Sequence, residues 1–183
     1  MKQKCIKNNQ GFSLVEVLVS LAIVSMIAGL MLANYRASED TNRVVFSAKE
    51  LAGPIRVAQN NSLGAVKYGT STPLGGWGVH IDTELSDTSY RLFADMNDNS
   101  QYDPGEAEIE HGGRTVRTER NVRIASTTLG SEVTITFIPP HPITVIRDGE
   151  GSSASEVEVF LENHEGESRT VRVNNFGLIE VLR

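Results

Sequence analysis

The sequence predicts an α+β fold, a long N-terminal helix with a transmembrane half and a soluble half packed on an antiparallel β-sheet domain. Three observations predict it. Phe12 to Ala33 is an almost unbroken apolar run. Val44, Ala48, Leu51, Ile55 and Ala58 then recur at intervals of four and three, the spacing of one apolar stripe along a helix. From Gly64 the composition changes to glycine, threonine and alternating apolar residues, the period of half-buried strands.

The first element begins at a joint. Lys2, Lys4 and Lys7 precede Gly11 with no acidic residue among them, and Gly11-Phe12-Ser13-Leu14-Val15-Glu16 follows. The 22 residues from Phe12 to Ala33 would form a helix of about 33 Å, enough to span a hydrocarbon core. Val17 to Ala33 carries no charge, and the lysines before the run, with Glu39 and Asp40 after it, orient the N-terminus toward the cytoplasm. An ordinary secretory signal offers small residues for cleavage after its apolar segment. Here the candidate processing joint lies before that segment, so cutting there leaves the apolar helix on the mature chain.

Glu16 is the one carboxylate in this helix. Burying it costs roughly 2.5–3.5 kcal/mol at mid-bilayer and less near an end. It either snorkels to the interface or meets a positive charge. Ser13, Glu16 and Ser20 fall on one helical face, and Ser25, Gly29 and Ala33 form a small-residue series roughly opposite. Two such faces suit a helix packed among neighbours, although small residues are also tolerated by chance in a membrane helix.

Pro54 lies inside the continuing helix and should kink it or interrupt its bonding. Beyond it, Gly75-Gly76-Trp77-Gly78 reads as a turn without the ending of a phosphate loop. Strands are expected at 78–81, 90–94, 115–118, 122–125, 133–137, 144–147, 156–161, 170–174 and 178–182, the last three as an antiparallel meander. Ile138-Pro139-Pro140-His141-Pro142 breaks any strand, and Gly149 to Ser155 reads as a loop.

Asp95-Met96-Asn97-Asp98-Asn99-Ser100-Gln101-Tyr102-Asp103-Pro104-Gly105-Glu106 has the spacing of an EF-hand-type calcium loop. Oxygen side chains stand at positions 1, 3, 5, 9 and 12, as Asp95, Asn97, Asn99, Asp103 and Glu106, and the Gln101 carbonyl supplies a further ligand. Ser100 replaces the usual glycine at position 6, which strains the backbone if φ is positive. The other reading is an acidic turn held by Asn and Asp side chains bonding to local backbone.

Other constellations carry less. Arg114, Arg117, Arg120 and Arg123 alternate faces if the segment is a strand, where charges discourage edge-to-edge pairing. Trp77 and Phe93 read as core or turn packing and not as a base-stacking platform. His80, His111, His141 and His164 lack paired-ligand spacing, and no nucleophile elbow is present, so the chain is read as a non-enzyme. The formal charge is −6, and −9 once residues 1–11 are removed, which argues against nucleic acid as a partner. The only cysteine, Cys5, lies before Gly11.

The Gly11–Glu16 motif ahead of an apolar helix resembles the start of a type IV pilin or pseudopilin precursor. The glycine-then-strand ending Val173-Asn174-Asn175-Phe176-Gly177-Leu178-Ile179-Glu180-Val181 resembles the GspH/FimT-like branch. The resemblance implies cleavage after Gly11 and N-methylation of Phe12 by a prepilin peptidase. It also implies that Glu16 pairs with the charged N-terminus of a neighbouring subunit, a pairing made directional because an unpaired carboxylate in an apolar fibre is costly. The implied division is a leader at 1–11, a transmembrane and assembly helix at 12–34, a soluble half of the helix at 35–63 and an exported domain at 64–183. The expected partners are the peptidase, other pilins or pseudopilins and the inner membrane. A minor pseudopilin of type II secretion is the expected role; the alternative is a minor type IV pilin in pilus assembly, adhesion or DNA uptake. A membrane anchor displaying a β domain is a third reading. Leu178 and Glu180 stand where some DNA-binding members have basic residues, and the absence of a C-terminal disulfide loop shifts weight away from major pilins.

Overall fold

The computed structural model describes residues 12–108, 116–119, 121–140 and 143–183. Helix α1 spans Leu14–Leu63. Its N-terminus is capped by Ser13, whose Oγ accepts the Glu16 amide at 3.2 Å and satisfies one of the first-turn donors. Ser13-x-x-Glu16 has the spacing of a capping box, of which, among the described residues, the structure shows the Ser13 half alone.

Two compact units divide between Glu39 and Asp40. In the first, Leu14–Leu32 has a mean hydropathy of 2.4, long and apolar enough to cross a membrane, and none of it is buried. Leucine, isoleucine and valine side chains point outward along the whole span, as a helix solvated by lipid or by other apolar helices requires.

The second unit comprises α1 from Asp40 onward and the strands. These are β1 (Gly76–Asp82), β2 (Ser89–Asp95), β3 (Ala107–Glu108), β4 (Val116–Arg117), β5 (Val122–Thr127), β6 (Glu132–Ile138), β7 (Ile143–Asp148), β8 (Ser153–Ala154), β9 (Glu156–Asn163), β10 (Ser168–Asn174) and β11 (Ile179–Leu182). Among the described residues they form two antiparallel sheets. One runs β3-β2-β1-β6-β7-β8, with β4 also on β2, and the other runs β11-β10-β9-β5. The expected closing meander is present as β9, β10 and β11.

The stripe Val44, Ala48, Leu51, Ile55 and Ala58 is fully buried, together with Ala52. It joins Val79 and Ile81 of β1, Ile135 of β6, Val159 and Leu161 of β9 and Val171 of β10 in one core. The helix is thus wedged against both sheets. Alanines at three of these positions let its backbone approach closely, while Leu51 and Ile55 each contribute on the order of 1.5–3 kcal/mol of burial.

Pro54 is accommodated inside α1 without ending it. Two loop expectations are corrected. Gly76 and Trp77 belong to β1 and not to a turn, because Gly76 holds φ at 86° where a Cβ would lie 1.9 Å from the Phe137 carbonyl oxygen. Trp77 is then 3 % exposed, its amide bonded to Ser62 Oγ at 2.9 Å and its ring N–H to the Val66 carbonyl at 3.0 Å. Within Gly149 to Ser155, Ser153 and Ala154 pair with β7 as a short edge strand.

Candidate functional site

Gly11, Cys5 and the leader lysines lie outside the described residues, so the structure describes the joint from Phe12 onward. Phe12 is 83 % exposed. With Glu16, Val17, Ser20, Leu21 and Val24 it lines a shallow groove of about 300 Å³ on one face of the helix. Polar groups along the span are quenched internally. Ser20 Oγ donates to the Glu16 carbonyl at 2.7 Å and Ser25 Oγ to the Leu21 carbonyl at 2.7 Å, so neither hydroxyl needs water. The Glu16 carboxylate differs, because no described residue hydrogen-bonds it and it is exposed. In hydrocarbon such a group is costly until a cation or donor meets it. On the opposite, small-residue face, Gly29 has nothing within 4 Å of where a Cβ would stand.

The loop after β2 brings its predicted ligands together. Asp95 is fully buried, with Oδ1 accepting the Asp98 amide at 2.7 Å and Oδ2 the Ser100 amide at 2.8 Å. Glu106 closes the other end, accepting the amides of Met96 and Asp103, each at 3.2 Å. Burial raises the Glu106 carboxyl above its ordinary range, and the Asp95 and Asp103 charges push the same way against those two amide bonds. Asn97 and Asn99 both donate through Nδ2 to Asp103 Oδ2 at 2.7 Å. Their Oδ1 atoms accept the amides of Asn99 and Gln101, at 3.2 and 2.8 Å. Ser100 takes φ of 57° and Asp98 φ of 64°, so the backbone adopts the left-handed turn expected at position 6 without a glycine. The loop is therefore organised by carboxylate and Asx bonds to its own backbone. Among the described residues no three His, Cys, Asp or Glu side chains are arranged to hold a metal ion.

Sequence reading missed what this loop does next. Gly75 leaves room for the Asp95 carboxylate, since a Cβ there would lie 2.0 Å from Oδ2. Tyr102 folds back onto β1 and β2, where it stacks on His80 with ring centroids 4.7 Å apart and meets the Phe93 ring edge-on at 5.5 Å. The only sequence signal for this is the alternation Gly78, His80 on β1 and Arg91, Phe93 on β2, which puts them on the face opposite Val79 and Ile81.

Of the arginine cluster, Arg114 and Arg120 lie outside the described residues. Arg123 is paired with Glu162 across β5 and β9. Arg172 is paired with Glu158 and further held by Glu156 and Glu180, so the second sheet's basic residues are largely neutralised by acidic neighbours. His111 and His141 lie outside the described residues, and His80 and His164 sit in separate surroundings. His164 lines an open cavity of about 430 Å³ with Asp87, Thr118, Glu119, Val122 and Asn163.

A family model described as the prokaryotic N-terminal methylation motif matches residues 6–32. The matched segment contains Gly11, Phe12, Glu16 and the apolar span up to Leu32, and it marks a type IV pilin-like precursor with an N-terminal apolar helix suited to membrane anchoring. No curated protein and no solved structure matches the chain.

Proposed function

We propose that this protein is a structural subunit of a pilus-like fibre, a minor, H-type pseudopilin of a type II secretion system of the GspH/FimT-like branch. Prepilin peptidase cuts between Gly11 and Phe12 and methylates the new N-terminus at Phe12. The single observation that carries the reading is the Glu16 carboxylate, exposed and without a hydrogen bond to any described residue, one turn into an otherwise uncharged span and inside the matched methylation motif. A neighbour's N-terminal ammonium is the group best suited to it, because only a charged partner offsets the loss of hydration. The lysines before Gly11 keep the N-terminus in the cytoplasm and the domain from Asp40 outside the inner membrane.

Two observations favour the secretion role over a minor type IV pilin. The mature chain has no cysteine, and Leu178 and Glu180, just before and within its final strand, stand where a nucleic-acid surface would need cations. Quantitative proteomics of culture supernatant and sheared surface material, comparing a deletion strain with its complemented parent, tests the choice. Loss of specific secreted enzymes with surface pilins unchanged supports the pseudopilus. Loss of pilins with secretion intact makes the chain a pilus subunit, and failure of the peptidase to cut at Gly11 makes it a plain anchor.

Within this reading the Asp95–Glu106 loop is proposed to take calcium as a weak structural ligand. Support comes from the convergence of Asn97, Asn99 and Asp103. Rotation of the two Asn side-chain amides would turn oxygens toward the oxygen they now donate to.

A further inference from the structure

The face of the first sheet turned away from α1 is covered. Register places Gly78 between Phe93 and Thr136, and His80 between Arg91 and Thr134. Phe93 and Thr136 are fully buried, Thr134 is 3 % exposed and His80 4 %. The segment between β2 and β3 covers part of this face: its Tyr102 ring lies over His80, Phe93 and the Arg91 guanidinium, the last 5.2 Å from the ring centroid. The segment is tied at its two ends by the Asp95 and Glu106 carboxylates, and between them Tyr102 is its aromatic clasp on the sheet.

Among the described residues, charged and polar groups approach His80 from three strands. On β1 there is Asp82, on β2 Arg91, and on β6 Thr134, whose Oγ1 is 3.1 Å from Nδ1, and Glu132, whose Oε1 is 3.9 Å from Nε2. Arg147 of β7 is the register neighbour of Thr134, and Tyr102 closes the site from above. A proton on this imidazole would be buried beside Arg91 beneath a ring that excludes water. Asp82 and Glu132 oppose that cost incompletely. We infer that the Met96–Glu106 segment is an acid-released latch, in which protonation of His80 lifts the Tyr102 clasp and uncovers Phe93 on the sheet face.

The direction follows from proton counting. Burial, then Arg91, lower the His80 imidazole to about 4 against the pull of Asp82. With the latch lifted the imidazole is hydrated and returns to its ordinary value near 6.5. The open form therefore binds more protons, and opening grows as pH falls below about 6.5, the fully closed form being retained above it. Between pH 7 and pH 5 the open population rises about twentyfold. The inference does not depend on which fibre the chain serves.

Hydrogen exchange on the full chain in detergent, corrected for the intrinsic pH dependence of exchange, tests it. The expected result is a rise of about twentyfold in exchange at residues 96–106 from pH 7 to pH 5, with β6 amides 133–137 still protected. His80→Gln should remove the rise, and Tyr102→Leu should make the segment exchange fast at both pH values. A wild-type NMR titration in which the His80 ring protons shift below pH 5 supports the latch without any variant. No rise in wild type, an equal rise in His80→Gln, loosening of β6 in parallel, or His80 titrating near 6.5 in the protected state would each overturn it.

Discussion

The Tyr90 hydroxyl donates to the Glu50 carbonyl oxygen at 2.9 Å, and that oxygen is the one Pro54 leaves without a helical donor. Glu50 stands four residues before Pro54, whose nitrogen carries no hydrogen. A side chain from β2 thus replaces a backbone bond of α1, from a residue only 1 % exposed. This is how the helix carries a half-buried proline beside its buried stripe and continues to Leu63. It predicts that Tyr90→Phe costs about 1–2 kcal/mol of stability by leaving a carbonyl unsatisfied. In a Pro54→Ala background the same change should cost less, because residue 54 then donates to Glu50 itself. Denaturant unfolding of the four variants measures the coupling, and equal costs in both backgrounds would refute the pairing.

The cap at Ser13 and the proposed charge pairing of Glu16 can be tested separately. Glu16→Gln keeps the third helical position and removes the charge. Its expected outcome is normal cleavage and membrane insertion with loss of incorporation into sheared fibres, read by immunoblot. Ser13→Ala removes the cap, worth about 1 kcal/mol of helix stability, and should leave incorporation largely intact. Normal incorporation of Glu16→Gln would refute charge pairing, because glutamine keeps the helical position and loses only the charge.

Gly78 sits where β1 faces Phe93. A Cβ there would lie 2.8 Å from two ring atoms of Phe93 and 2.8 Å from the Ile135 carbonyl oxygen. Gly78→Ala should therefore lower stability by about 1–3 kcal/mol, since the backbone oxygen cannot move aside. An unchanged melting temperature would mean that the Phe93 ring swings out freely.

Calcium binding to the Asp95–Glu106 loop should appear as heat in calorimetry and a rise in melting temperature at millimolar calcium. Both should vanish in Asp103→Ala, which removes the oxygen shared by Asn97 and Asn99. In chelator the protein should stay folded, because Asp95 and Glu106 close the loop on backbone amides without a cation. Absence of both heat and thermal shift would withdraw calcium.

Local pattern alone made much of the molecule legible. The four-and-three recurrence from Val44 to Ala58 identifies the buried face of α1, because helical geometry lines up residues that chain spacing already relates. Alternation identifies nearly every longer strand within a residue or two at either end. The methylation motif is likewise a short run of adjacent residues. Gly75 to Gly78 reads as a turn because its glycines signal one wherever local rules alone apply, although Trp77 is core packing as expected. Gly76 is there for the close approach of the Phe137 carbonyl, 61 positions away in the chain, and Gly75 for the Asp95 carboxylate.

What the tertiary structure decided was partnership between distant residues. Alternation tells a strand which face is apolar, but not that β1 lies between β2 and β6 while β5 crosses to β9 in a second sheet. Tyr102 on His80 and Tyr90 on Glu50 follow from that arrangement, because each contact needs a register and a layer order that no short window contains. The sequence by itself determined the apolar anchor, its single carboxylate, the helical stripe and the strands. The structure decided which strands share a sheet, which donor answers Pro54 and what covers His80, because these depend on how burial and backbone pairing are satisfied across the whole chain at once.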